Sequence, residues 1–210
     1  MKFTPSSSSG SALLEVLITI VILAFGLLGV AGLQARIYVM EYESYQRAQA
    51  VVILNDIAER LSTSATPDNI TDTVAVNTAA AVVADYAAAP LGGAAGVITN
   101  CSSLAGTARD ICELSNLLNG GGEKQGTGGV GAMDNAMACI TPFIATATKA
   151  FNRCQAGVQI DVVWRGRSPT IVPIATCGTT GASPPYGATD AFRRAVSLRV
   201  GTGDVVCPSP

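Results

Sequence analysis

Twenty consecutive residues from Val16 to Ala35, VLITIVILAFGLLGVAGLQA, contain no charge. This run constrains the chain more than any other feature. As a helix rising ~1.5 Å per residue it would span ~30 Å, the thickness of a bilayer's hydrocarbon core. It also accounts for a composition unusual in a soluble protein: 13% charged residues and a mean hydropathy of +0.39. Before it lies a short polar leader, Met1 to Gly10, carrying Lys2; after it, Arg36 is the first charge. Lys2 weakly favours a cytoplasmic N-terminus.

Glu15 stands at the start of the run. A lone carboxylate inside hydrocarbon costs a few kcal/mol, so it normally has a partner or a function; the plain alternative is an acid that stays wet at the interface. Three readings compete for the segment. A secretory signal would be removed whole, with a small-residue site near Ala31–Ala35. A signal anchor would stay unprocessed. The third reading comes from a family resemblance of the segment around Glu15.

Beyond Arg36 the pattern turns helical. Ile37, Met40, Ser44, Ala48, Val51, Leu54, Ala58 and Leu61 recur at steps of three and four, with Glu41, Glu43, Gln46, Gln49, Asp56 and Glu59 on the solvated face. One helix from about Ala12 to Leu61 is expected, ended by the polar run before Pro67. Gly26, Gly29 and Gly32 are weak points, each costing ~1 kcal/mol relative to Ala. They serve either close packing of helices through small residues or local unwinding.

The remainder reads as a mixed domain. Residues 62–108 show little pattern beyond a short helix around Ala79–Ala88. Arg109–Leu118 reads as a helix. Asn119–Gly131, with seven glycines, reads as a flexible loop, and it lacks the GxxxxGK[ST] pattern of a phosphate cradle. Val158–Trp164 and Val196–Val200 alternate as half-buried antiparallel strands, and Arg165, Arg167, Arg193 and Arg194 read as their solvated ends.

Several functions are excluded or disfavoured. The chain has no histidine, which removes histidine-based triads and imidazole metal sites. Thirteen basic against fifteen acidic residues leave no electrostatic footprint for nucleic acid. No nucleophile–base pair, metal-ligand spacing or cofactor motif can be assembled, so neither catalysis nor a cofactor is expected. Six cysteines point to an oxidising compartment.

The stretch Gly10-Ser11-Ala12-Leu13-Leu14-Glu15-Val16-Leu17 resembles the class III signal of type IV prepilins, and Gly26-Leu27-Leu28-Gly29-Val30-Ala31-Gly32-Leu33-Gln34 is similar to a run in the PilV-type minor pilins, the type IV pilus modification proteins. Ala58-Glu59-Arg60-Leu61, Cys139-Ile140, the strand with Trp164, Cys177-Gly178 and Arg193–Leu198 resemble further parts of that family. Ser11 stands where major pilins commonly carry phenylalanine. The resemblance implies cleavage between Gly10 and Ser11 by a prepilin peptidase, methylation of the new amine, and Glu15 at mature position five. That ammonium and a neighbouring subunit's Glu15 would neutralise each other and set axial register, as matched buried charges do.

The implied fold is α+β and pilin-like. A leader (1–10) precedes a membrane or filament-core helix (11–35). An amphipathic continuation (36–61) then packs on a disulfide-bonded antiparallel sheet domain (62–210). The implied protein is a non-catalytic minor pilin, anchored in the bacterial inner membrane with its domain in the periplasm. Once assembled into the pilus it is extracellular and supports assembly, adhesion or twitching motility. Its partners would be the peptidase, other minor pilins and the major pilin. The alternatives are a minor pseudopilin of a type II secretion system and, from another class, a signal-anchored periplasmic enzyme.

Six cysteines permit fifteen connectivities, and sequence does not choose among them. Antiparallel pairing with Val158 opposite Val200 would bring Cys154 towards Cys207. Cys101 and Cys112 are near enough in sequence to clip the short helix. Cys139 and Cys177 then remain, and they match the two cysteines of the family resemblance.

Overall fold

The computed structural model describes residues 9–64, 84–94, 97–126, 128–129, 131–144, 153–179, 186–187 and 189–206. It divides into two units, the first ending at Ser44 and the second beginning at Tyr45. Helix α1, Ser9–Ser64, runs through both. It extends about three residues beyond each expected end. In the first unit the described side chains from Ala12 to Glu41 are all exposed, including Leu14, Leu17, Ile22, Phe25 and Leu28. The most apolar window of α1 has a mean hydropathy of 2.8 and none of it is buried, so α1 is long and apolar enough to cross a membrane.

In the second unit α1 has a true inner face made by Gln46, Ala50, Ile53, Leu54, Ile57 and Leu61. This corrects the expected stripe. Ala48 and Val51 are exposed, whereas Gln46, assigned to the wet side, is buried. The helix is rotated so that Ile53 and Ile57 enter the core, since these branched chains bury more apolar surface than the alanine and valine they displace. Gln49 helps hold the orientation by donating to the carbonyl of Gly131 at 2.9 Å.

The sheet has strand order β1 (Leu91–Gly92), β4 (Met137–Ile144), β5 (Arg153–Arg165) and β6 (Arg193–Val206), all antiparallel; β2 (Lys124–Gln125) and β3 (Gly128–Gly129) form a separate small hairpin. The glycine-rich segment read as a loop therefore contains that hairpin. In the β5–β6 register Val158 lies opposite Val200 and Trp164 opposite Arg194, with an irregularity at Ala156/Gly157. Gly157 is required there, because a Cβ would come within 2.6 Å of both the Phe143 ring and the Val200 carbonyl.

Val158, Ile160, Val162 and Trp164 point to one face of β5, as the alternation predicts, and join the α1 residues, Tyr86, Leu114, Leu118 and Met133 in one core. Residues 84–87 form a single helical turn that supplies Tyr86; the rest of the expected Ala79–Ala88 helix lies partly outside the described residues. Helix α2, Gly106–Leu118, buries Leu114 and Leu118. It stops in a Schellman arrangement, with Gly120 (φ +94°) donating to the Leu117 carbonyl and Gly121 to that of Asn116. Arg60 of α1 reaches Asp56, Asp110 and Glu113, tying α1 to α2. The carboxyl of Glu113 is held below the usual carboxylate range by hydrogen bonds from Arg109 and then Arg60.

Candidate functional site

The two units present different chemistry. On the first, Glu15 is the single charge between Ala12 and Ala35, and its side chain is exposed. Gly10 and Ser11 lie on the first turns of α1. A Cβ placed on Gly26, Gly29 or Gly32 would meet nothing within 4 Å.

On the second unit, disulfides join Cys101 to Cys112 and Cys139 to Cys177. The first links the approach to α2 with its second turn. The second ties the segment after β5 to the outer face of β4. Cys154 lies in β5 opposite Val205; Cys207, and with it the Cys154–Cys207 pairing, lies outside the described residues.

The outer sheet face is not simply wet. Val163, Cys177 and Tyr186 form a second buried cluster with Met137, Cys139 and Ala195 against them. Tyr186 donates to the Asn135 carbonyl at 2.9 Å, and burial, reinforced by Asp190 and Asp134 against the opposing pull of Arg193, pushes its phenol well above the usual tyrosine range. Further along the same face a polar chain joins β5 and β6. Arg199 donates to Gln159 at 3.0 Å, Gln159 donates to the buried carboxylate of Asp161, and the Ser197 hydroxyl donates to Asp161 as well. Asp161, Thr141, Thr176 and the Cys139–Cys177 bridge, together with Ala87–Pro90, line a cavity of about 250 Å³.

Arg193 and Arg194, expected as solvated strand ends, are the clearest correction. Arg193 is only 2% exposed. Its guanidinium donates to the carbonyls of Pro173, Ala175 and Cys177, and its Nε lies 3.4 Å from Asp190, paired by charge without hydrogen-bond geometry. Arg194 donates to the Ser168 carbonyl at 2.7 Å and the Thr170 hydroxyl at 2.6 Å, in space left by Gly166, where a Cβ would come within 2.7 Å of the guanidinium. The strand period places both at the head of β6. It says nothing of carbonyls supplied by an irregular segment some twenty residues upstream, so their role was not readable from the pattern.

Among the described residues no group of three or more His, Cys, Asp or Glu side chains is placed to hold a metal ion. No family model, curated protein or solved structure matches the chain.

Proposed function

We propose that the chain is a minor pilin of a type IV pilus, cleaved after Gly10, held in the inner membrane by the apolar half of α1, and built into the filament through that same half. One observation carries this reading: a single unbroken helix has a first half of exposed apolar side chains with one acid, Glu15, and a second half that forms the core of a disulfide-bonded sheet domain. A membrane anchor alone needs no acid at that position. A helix that leaves lipid for a bundle of like helices can match Glu15 against the ammonium created at a neighbour's Ser11.

The test is the N-terminal residue of the protein in its native membrane, read by mass spectrometry. The expected terminus is a methylated Ser11, and Gly10→Trp should leave the full-length chain. A terminus near Gly32 or Arg36 would indicate ordinary signal peptidase and sink the reading, and an unprocessed Met1 would return the chain to signal anchors. In a deletion strain, lost surface pili with normal exoprotein secretion fits the proposal, whereas retained exoproteins with intact pili fit the pseudopilin alternative.

A further inference from the structure

The segment between β5 and Cys177 is built in an unusual way. Ile171 is 94% exposed and Ile174 fully exposed, with Val172 42% exposed between them. Single exposed apolar residues are ordinary. Here two isoleucines stand bare within four residues, and the backbone beneath them is held on every side. Thr170 donates its N–H to the Ala191 carbonyl at 2.7 Å, Arg194 grips Ser168 and Thr170, Arg193 grips Pro173, Ala175 and Cys177, and the bridge to Cys139 closes the end. Pro169 and Pro173 fix two more backbone torsions. A guanidinium as buried as that of Arg193 is costly to take out of water. All of its hydrogen bonds go to carbonyls of this loop, and Asp190 supplies the opposite charge.

We infer that the Ile171–Ile174 loop is a preformed anchor that inserts into an uncharged, concave apolar pocket on a different polypeptide. Rigid presentation favours a shaped protein pocket, because a preorganised loop loses little entropy on binding, whereas a fluid lipid surface rewards no particular shape. Charge argues the same way. From Ser168 to Thr189 the sequence carries no charge, and Arg193 and Arg194 are turned onto the loop's own carbonyls, leaving Arg167 as the exposed cation at its base. That is thin provision for an anionic lipid surface. The described cavity of a second copy is also a poor host. The cavity beside the loop is lined by Thr141, Thr176 and Asp161, the last already held by Gln159 and Ser197, a polar lining poorly matched to an isoleucine. Three side chains cover far less than the ~800 Å² per partner of a standard interface, so the loop is a central anchor within a wider contact. The inference does not rest on the pilin reading.

A photoreactive benzoylphenylalanine placed at position 171 or 174 of the full chain, in the producing cell, tests it, with position 97, also exposed, as control. The expected result is one discrete adduct with a different polypeptide from 171 and 174 and none from 97. The Ile171→Ser change should reduce the adduct from 174 at least fivefold at unchanged melting temperature. The polypeptide identified by mass spectrometry, once purified, should bind the full chain in detergent, and Ile171→Ser/Ile174→Ser should raise its Kd at least tenfold. Adducts with lipid alone, an adduct of twice this chain's mass, no adduct, or an unchanged Kd in the double variant would each overturn the inference.

Discussion

Removing the two disulfides separately should cost unequal amounts, in an order set by chain length. Cys101–Cys112 closes 11 residues and Cys139–Cys177 closes 38. If each bridge acts by restricting the unfolded chain, the closure entropy gives ~2.8 kcal/mol for the short loop and ~3.9 kcal/mol for the long one at 25 °C. The difference, 1.5RT ln(38/11), is ~1.1 kcal/mol and is sturdier than either absolute value, since the Cys→Ser change is the same in both. Trp164 is the sole tryptophan, lies 2% exposed in the core, and reports the sheet domain whatever the apolar half of α1 does in a micelle. Urea titration of full-length Cys101→Ser/Cys112→Ser and Cys139→Ser/Cys177→Ser in detergent, followed by Trp164 emission, gives both values. Thermal midpoints should fall by roughly 6–11 °C and 8–16 °C, at ~2–4 °C per kcal/mol for a domain of this size. Equal losses, or a larger loss for the short loop, would refute the chain-entropy argument and place the stabilisation in local packing around Cys101.

The inner face of α1 predicts that Ile53→Ala costs ~2–5 kcal/mol, whereas Val52→Ala, at a position 68% exposed, stays within ~0.5 kcal/mol; the same urea titration separates them. Tyr186 ties stability to alkaline pH. Its folded-state pKa is raised above the ordinary 10, so its contribution is complete below pH ~10 and is lost as pH rises towards the folded value. The loss is ~1.4 kcal/mol per pH unit, and Tyr186→Phe should remove that slope while giving up ~1 kcal/mol for its hydrogen bond to Asn135. Under the proposed function, Glu15→Val should insert into membranes as well as or better than the parent, relieved of a cost of at most ~2.5–3.5 kcal/mol, yet enter filaments weakly or not at all; immunogold counts on sheared pili read the outcome, and normal incorporation would make Glu15 an interfacial bystander.

The elements best read from sequence are those whose own period carries the signal. The uncharged run and its helical continuation placed α1, and alternation in two runs placed β5 and β6 with Val158 opposite Val200. The rotation of α1 was harder, because Val51 and Ile53 are both apolar and only the sheet decides which of them faces it. The outer face was illegible for a different reason. Asp161 and Val163 sit at positions that period two sends to solvent, yet both are buried, Val163 against Cys177 and Tyr186, which follow β5 in the chain. Arg193 combines both difficulties. A guanidinium at a strand end reads as solvated until three carbonyls from elsewhere close around it.

Under the proposed function, the glycines of α1 belong to a half whose surroundings differ from those of the second. In a helix interior each glycine costs ~1 kcal/mol relative to alanine. Where a glycine is kept inside a folded domain, a neighbour usually occupies the space its Cβ would fill, as at Gly157, with Phe143 and Val200 both at 2.6 Å. At Gly26, Gly29 and Gly32 no such neighbour exists within 4 Å among the described residues. Among the described residues, no packing at these positions offsets that cost. The apolar side chains around them, Leu23, Phe25, Leu27 and Leu28, are likewise exposed by 65–71%. Lipid would cover those side chains but would accept alanine in place of each glycine equally well. Under the proposed function, a surface of other helices approaching closely enough to need a missing Cβ would give both features a use, and local unwinding is the other use open to the glycines.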